Sequence, residues 1–201
     1  ATSNETATID ISGVSGGSAT EDGTQNVTIT ITDDESAPTV TLSRGAAAID
    51  EDSSSTVTIT ATLSNATYQD VTVSIGASGG TEGTDYATIS DITISAGSTT
   101  GTTSLDPTDD SVYEDDEAVT VTIDGVSGGS ASESGSQSVT ITITENESAP
   151  TVTLTVSATS IAENAGTSLT LTATLSVATT ADVTVALSTS GTATEGTDYT
   201  D

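Results

Sequence analysis

Cysteine, histidine, methionine, tryptophan and phenylalanine are all missing from this 201-residue chain, and lysine plus arginine amount to one residue, Arg44. Without Cys or His there is no disulfide framework, no thiol nucleophile, no imidazole base and no Cys/His zinc site. Without basic residues there is no surface for phosphates, so neither nucleic acid nor an anionic membrane is expected as a partner. No apolar run approaches the roughly 18 residues that cross a bilayer as a helix, and direct membrane insertion is not expected. Aromatic residues make up 2% and hydrophobic residues 32%, which, evenly spread, would bury too little surface to offset chain entropy. Acid is what the chain has in excess, with 30 Asp and Glu and a formal net charge of -29.

The apolar residues are not evenly spread. They alternate with Thr or Ser over Val27 to Ile31, Val57 to Leu63, Val71 to Ile75, Val119 to Ile123, Val139 to Ile143, Leu169 to Leu175 and Val183 to Leu187. Period two is the pattern of a half-buried strand, and outward Thr supplies a β-branched residue that stays wettable. No window reads as a helix. The pairs Gly16-Gly17, Gly79-Gly80 and Gly128-Gly129 mark turns or bulges, so the expected fold is all-β, a sandwich of short antiparallel strands.

An internal repeat sets the domain organisation. The heptapeptide from Ser36 to Leu42 recurs 112 residues on, from Ser148 to Leu154, and the same offset carries Gly13–Ala19 onto Gly125–Ala131 and Ala61–Ser64 onto Ala173–Ser176. Residues 38–149 then form one complete repeat, residues 1–37 the closing strands of a preceding repeat, and residues 150–201 the opening strands of a following one. Pro38 and Pro150 stiffen the joints. With no initiator Met and no leader pattern, the chain reads as a window of a longer array. The other reading is strand complementation, in which residues 1–37 of a second copy complete residues 150–201, although counterparts of residues 89–112 would then be missing.

The acids gather where the chain turns: Asp50-Glu51-Asp52, Glu82 with Asp85, Asp109-Asp110, Glu114 to Glu117, and Glu145 with Glu147. Acids at turns also serve simply to keep a surface wet. Carboxylates converging on one end of a sandwich would repel one another unless a cation sat among them. An all-oxygen donor set favours Ca²⁺ over zinc or copper.

The order of these groups is more specific than their number. Glu51, then Gly83-Thr84-Asp85-Tyr86, then the run from Asp109-Asp110 through Tyr113-Glu114 to Glu117, then a Thr-rich strand ending in Glu145-Asn146-Glu147, resembles a Calx-beta domain, the Ca²⁺-binding sandwich of sodium–calcium exchangers and bacterial surface proteins. The resemblance implies tandem Greek-key, immunoglobulin-like β-sandwiches, with Ca²⁺ held by Glu51, Asp85, Asp109, Asp110, Glu114, Glu117, Glu145 and Glu147 at one pole. It extends to Asp33, Asp34 and Glu35 at the end of the first partial repeat and to Glu163 and Asp198 in the third.

Other features carry less. Four Asn-x-Ser/Thr matches, at Asn4, Asn26, Asn65 and Asn146, are what a Ser/Thr-rich chain yields by chance. Tyr68, Tyr86, Tyr113 and Tyr199 would make a sugar-stacking face only if clustered. Paired carboxylates can hydrolyse glycosides, but a chain this poor in aromatic and cationic groups has little to hold a substrate, and no enzyme is expected. The expected function is a calcium-binding repeat array forming a stiff extracellular rod or filament that extends a surface adhesin. Its partners would be neighbouring repeats, with a cell-surface or matrix target reached through other domains. A regulatory Ca²⁺ sensor and a ligand-binding adhesion module are the alternatives.

Overall fold

The computed structural model describes residues 4–200. Ahead of the central domain lie β1 (Glu5–Asp10) and β2 (Asn26–Ile31), an antiparallel hairpin. The central strands are β3 (Thr39–Arg44), β4 (Ala48–Asp50), β5 (Val57–Leu63), β6 (Val71–Ser78), β7 (Ile92–Ile94), β8 (Thr100–Leu105), β9 (Val112–Tyr113), β10 (Glu117–Ser127), β11 (Ser132–Glu133) and β12 (Ser138–Thr144). They are followed by β13 (Val152–Val156), β14 (Leu171–Leu175) and β15 (Ala178–Thr179). Two sheets enclose the core, one in the order β4-β12-β10-β6-β7 and the other β11-β3-β5-β8. No helix among the described residues is long and apolar enough to cross a membrane.

Alternation decides which side chains meet. In β5, Val57, Ile59, Ala61 and Leu63 are buried while Thr58 faces out. They join Val40, Val71, Val73, Val119, Val121, Ile141 and Ile143 in one core, closed by Ile92, Ile94 and Leu105. Each fully buried Val, Ile or Leu is worth about 1.5–3 kcal/mol, so a core almost without aromatics is adequate when the aliphatics are this completely covered. The flanking segments repeat the pattern but lack a facing sheet: Ile29 is 48% exposed, whereas Ile141, its counterpart one repeat on, is 0% exposed.

The first glycine of two of the predicted pairs is needed for a close approach. Gly79 and Gly128 have φ of 82° and 89°, and a Cβ on either would lie 2.1 Å from a carbonyl oxygen, that of Ala118 or Asp70 respectively. The two glycines leave the ends of β6 and β10, the longest strand pairing in the fold. That pairing slips register between Ile123 and Gly125. On the other edge of β6, just past the last β7 pair of Val73 with Ile92, the Ile75 N–H donates to Asp91 Oδ1 at 2.9 Å, an acceptor in place of a ladder carbonyl. Asp91→Ala should therefore cost about 1 kcal/mol, read as a lower urea midpoint at unchanged slope.

The all-β sandwich is as the sequence predicts, built mainly of antiparallel pairs, with two details that the alternation does not carry. First, the edge strands pair in parallel, β4 with β12 and β11 with β3. Alternation fixes the face a residue points to and carries no information on strand direction. β3 and β4 are joined by residues 45–47 but lie in different sheets, so each pairs elsewhere. Secondly, Val183 to Leu187 forms no strand. Its counterpart β6 is held between β10 and β7, and a strand without ladder partners has nothing to satisfy its backbone groups.

Candidate functional site

The acidic groups sit at strand ends that the topology brings together. β4, β12 and β10 are neighbours, with Asp50 opposite Thr144 and Glu117 opposite Ile143. The Glu51 N–H extends the ladder by donating to the Thr144 carbonyl at 3.0 Å. Glu51 thus leaves β4 beside the point where Glu145 leaves β12, and oxygens of Glu51, Glu145 and Glu147 lie within 4.8 Å of one another.

The surrounding hydrogen bonds fix Glu145 as the anchor. Its Oε1 accepts from the Glu147 N–H at 2.7 Å and its Oε2 from the Glu114 N–H. Burial opposes charge on Glu145, but these N–H donors outweigh it and hold the carboxyl below its ordinary value. Glu147 moves the other way, raised by a side-chain hydrogen bond with Glu145. Its Oε2 is buried and has no hydrogen-bond partner.

Glu51 is 6% exposed, and burial, reinforced by Glu145, Glu147 and Asp110, pushes its carboxyl up to about 7. Glu117 also rises to about 7, through burial and then the charges of Asp85 and Glu114. Glu114 is raised by burial, Asp85, Asp110 and Glu145, with an opposing hydrogen bond from the Thr180 side chain. Carboxylates held this close disfavour one another's ionisation unless a cation intervenes.

The remaining predicted residues have structural duties at the same pole. Asp85, 9% exposed, accepts from the Thr81 N–H, and its carbonyl accepts from the Thr108 N–H at 3.0 Å, so it ties its own loop to the one carrying Asp109 and Asp110. Asp109 accepts from the Asn146 side-chain amide at 3.2 Å, and Asp110 from the Val112 N–H at 2.6 Å. Asp116, which the motif does not mark, accepts the Glu145 N–H at its Oδ1 at 3.0 Å. The Glu-x-x-Glu spacing points to Glu114 and Glu117 and does not single out Asp116 from its neighbour Asp115 between them.

The flanking acids are arranged differently. The Glu35 carboxyl is raised first by a hydrogen bond with Asp33, then by the charges of Asp34 and Asp33, a pairing that matches Glu147 with Glu145 one repeat on. Asp33, Asp34 and Glu35 line an open cleft with Glu5, Ile31 and Tyr68. Glu163 is exposed. Asp198 accepts from the Thr194 N–H at 2.7 Å, as Asp85 does from Thr81. Among the described residues, carboxylates converge in threes only at Glu51, Glu145 and Glu147. Tyr86 is in the core at 3% exposure, while Tyr68 is 83% exposed, so the tyrosines do not form one exposed face.

Comparison with known proteins gives three findings. Residues 39–146 match the family model of the LapA domain, and residues 145–201 match that of the Calx-beta domain. The Calx-beta resemblance read from the motifs is therefore matched over the last part of the chain, with the LapA domain on the central part. Among solved structures, the chain is similar to the crystal structure of the apo-form Calx CBD1 domain, at 15% identity and a TM-score of 0.44, over 54% of this chain and 99% of that one. No curated protein matches the chain.

Proposed function

This chain belongs to the LapA domain family, and from that membership we propose that it is a calcium-binding structural module of a surface protein, set in line with similar repeats to form a stiff extracellular rod. The carrying observation is the convergence of Glu51, Glu145 and Glu147, with a buried Glu147 oxygen left without a hydrogen bond. The donor set is all carboxylate oxygen, which fits a hard divalent cation. Glu51, Glu145 and Glu147 would hold the ion, with Asp110, Glu114 and Glu117 close enough to feel its field. Ca²⁺ there would cancel the repulsion that raises the neighbouring carboxyls and would cross-link the ends of β4 and β12.

The match to the Calx-beta domain supports the calcium reading, and both matched families are non-catalytic binding or structural modules, which supports a role without turnover. Extracellular modules often bind Ca²⁺ at about 10⁻⁴–10⁻³ M, a range suited to a site that stays filled outside the cell. Calorimetric titration of the chelator-stripped chain with Ca²⁺ tests the proposal. The expected result is saturable binding that Glu145→Gln weakens at least tenfold. A chain that takes up no Ca²⁺ at millimolar concentration has no such function.

A further inference from the structure

One contact between segments has no place in the calcium site. β15, from the third segment, runs parallel to β9, with Ala178 opposite Val112 and Thr179 opposite Tyr113. β9 belongs to neither main sheet and, among the described residues, pairs with β15 alone. It is flanked in sequence by Asp109-Asp110 and Glu114, so the pairing lies along the acidic pole. The next residue, Thr180, brings its side chain to the Glu114 carboxyl, where it favours the charged form.

The internal repeat puts the corresponding position beside acids at the other joint as well. At the offset of 112, Thr180 corresponds to Tyr68, as Asp182 corresponds to Asp70 and Val183 to Val71. Tyr68 lines the cleft with Glu5, Ile31, Asp33, Asp34 and Glu35. These are the counterparts of Glu117, Ile143, Glu145, Asn146 and Glu147. One repeat position therefore lies beside acids of the preceding repeat twice in the chain, Glu114 at one joint and the cleft of Glu5, Asp33, Asp34 and Glu35 at the other, with a different side chain each time.

We infer that the acidic pole is also a docking surface whose partner is the following repeat: the stretch ending at Thr180, and its counterpart ending at Tyr68, caps the preceding domain and sets the angle of the joint. The chemistry suits a surface of this charge. A pole crowded with carboxylates would repel an acidic partner, whereas strand pairing and a neutral hydroxyl donor give hydrogen bonds without adding charge. Thr180 and Tyr68 both carry such a hydroxyl. A two-residue pairing is weak by itself. Here the link from Glu147 to β13 is only residues 148–151, and a short tether supplies an effective concentration in the millimolar range. The docking uses backbone pairing and a neutral donor, so it does not rest on the calcium reading.

A chain without cysteine makes the test clean. In the full 201-residue chain carrying Val112→Cys and Ala178→Cys, residues directly opposite in the parallel register, mild oxidation in EDTA should form an intramolecular disulfide at least about tenfold faster than in the same chain unfolded in urea. Adding Thr179→Pro, which removes a backbone donor from β15, should bring the rate back toward the unfolded one. Hydrogen exchange read by mass spectrometry on the peptide covering residues 177–182 should show protection in the unmodified chain and faster exchange in Thr180→Val. A cross-linking rate no higher than in urea, or one untouched by Thr179→Pro, overturns the inference. Because these readouts are taken in EDTA, they stand or fall separately from Ca²⁺ binding.

Discussion

Saturating Ca²⁺ should raise the melting temperature of the chelator-stripped chain by about 10 °C or more for each occupied site. A ligand that binds only the folded state adds RT ln(1 + [L]/Kd), about 2.7 kcal/mol at a hundredfold excess over Kd. A domain of this size gains roughly 4–8 °C per kcal/mol. The selectivity for the folded state follows from topology: Glu51 and Glu145 are distant in sequence and meet only because β4 lies beside β12. Glu145→Gln should remove most of the gain, because it takes a charge from the carboxylate that the Glu147 and Glu114 N–H groups hold in place. Asp22→Asn, exposed in the loop between β1 and β2, should leave the gain intact. Sodium at matched ionic strength controls for simple screening. An identical melting temperature in Ca²⁺ and in EDTA would remove the basis of the proposed function.

Without metal, acidification should stabilise the domain from pH 7 down to about 4.5. Glu51 and Glu117 are raised from 4.5 to about 7 in the folded state. Over that interval the folded chain binds more protons than the unfolded one, so stability falls as pH rises. The contribution is fully present below 4.5 and is lost as pH passes through 7. Burial is the leading cause for both groups, and their summed effect is on the order of a few kcal/mol. Glu145, held below its ordinary value, acts in the opposite sense and limits the gain at the acid end. Melting temperatures in EDTA from pH 4.5 to 8 should fall with pH, and Glu51→Gln should flatten the slope. With Ca²⁺ present the slope should reverse, since protons then compete with the ion. A metal-free curve that rises with pH across this range would contradict the repulsion inferred at the pole.

Much of the sandwich was legible because alternation in β5, β10 and β12 depends only on which face is buried. Strand direction was not legible, and neither was the failure of Val183 to Leu187 to form a strand, because both depend on partners distant in the chain. The acids divide in the same way. Their order along the sequence marks the pole, but it does not single out Glu51, Glu145 and Glu147, whose convergence comes from the pairing of β4 with β12. Nor does it reveal Asp116, whose part is to accept a backbone N–H. β9 gives no sequence signal, since two residues have no period and its pairing is made with the next segment.

Arg44 spans the seam between the sheets, its Nη1 donating to the carbonyls of Ala47, at 3.0 Å, and of Thr140. The one cationic side chain is thus engaged with backbone, and its charge is placed against peptide dipoles. With a formal net charge of -29, the flanks of two such molecules repel when they approach side by side, over the roughly 10 Å that 0.1 M salt allows. Sideways clumping is disfavoured even where apolar side chains are bare. Ionic strength then acts as a spacer control: in dilute salt these molecules hold one another apart like the bristles of a charged brush, and in concentrated salt the brush can collapse.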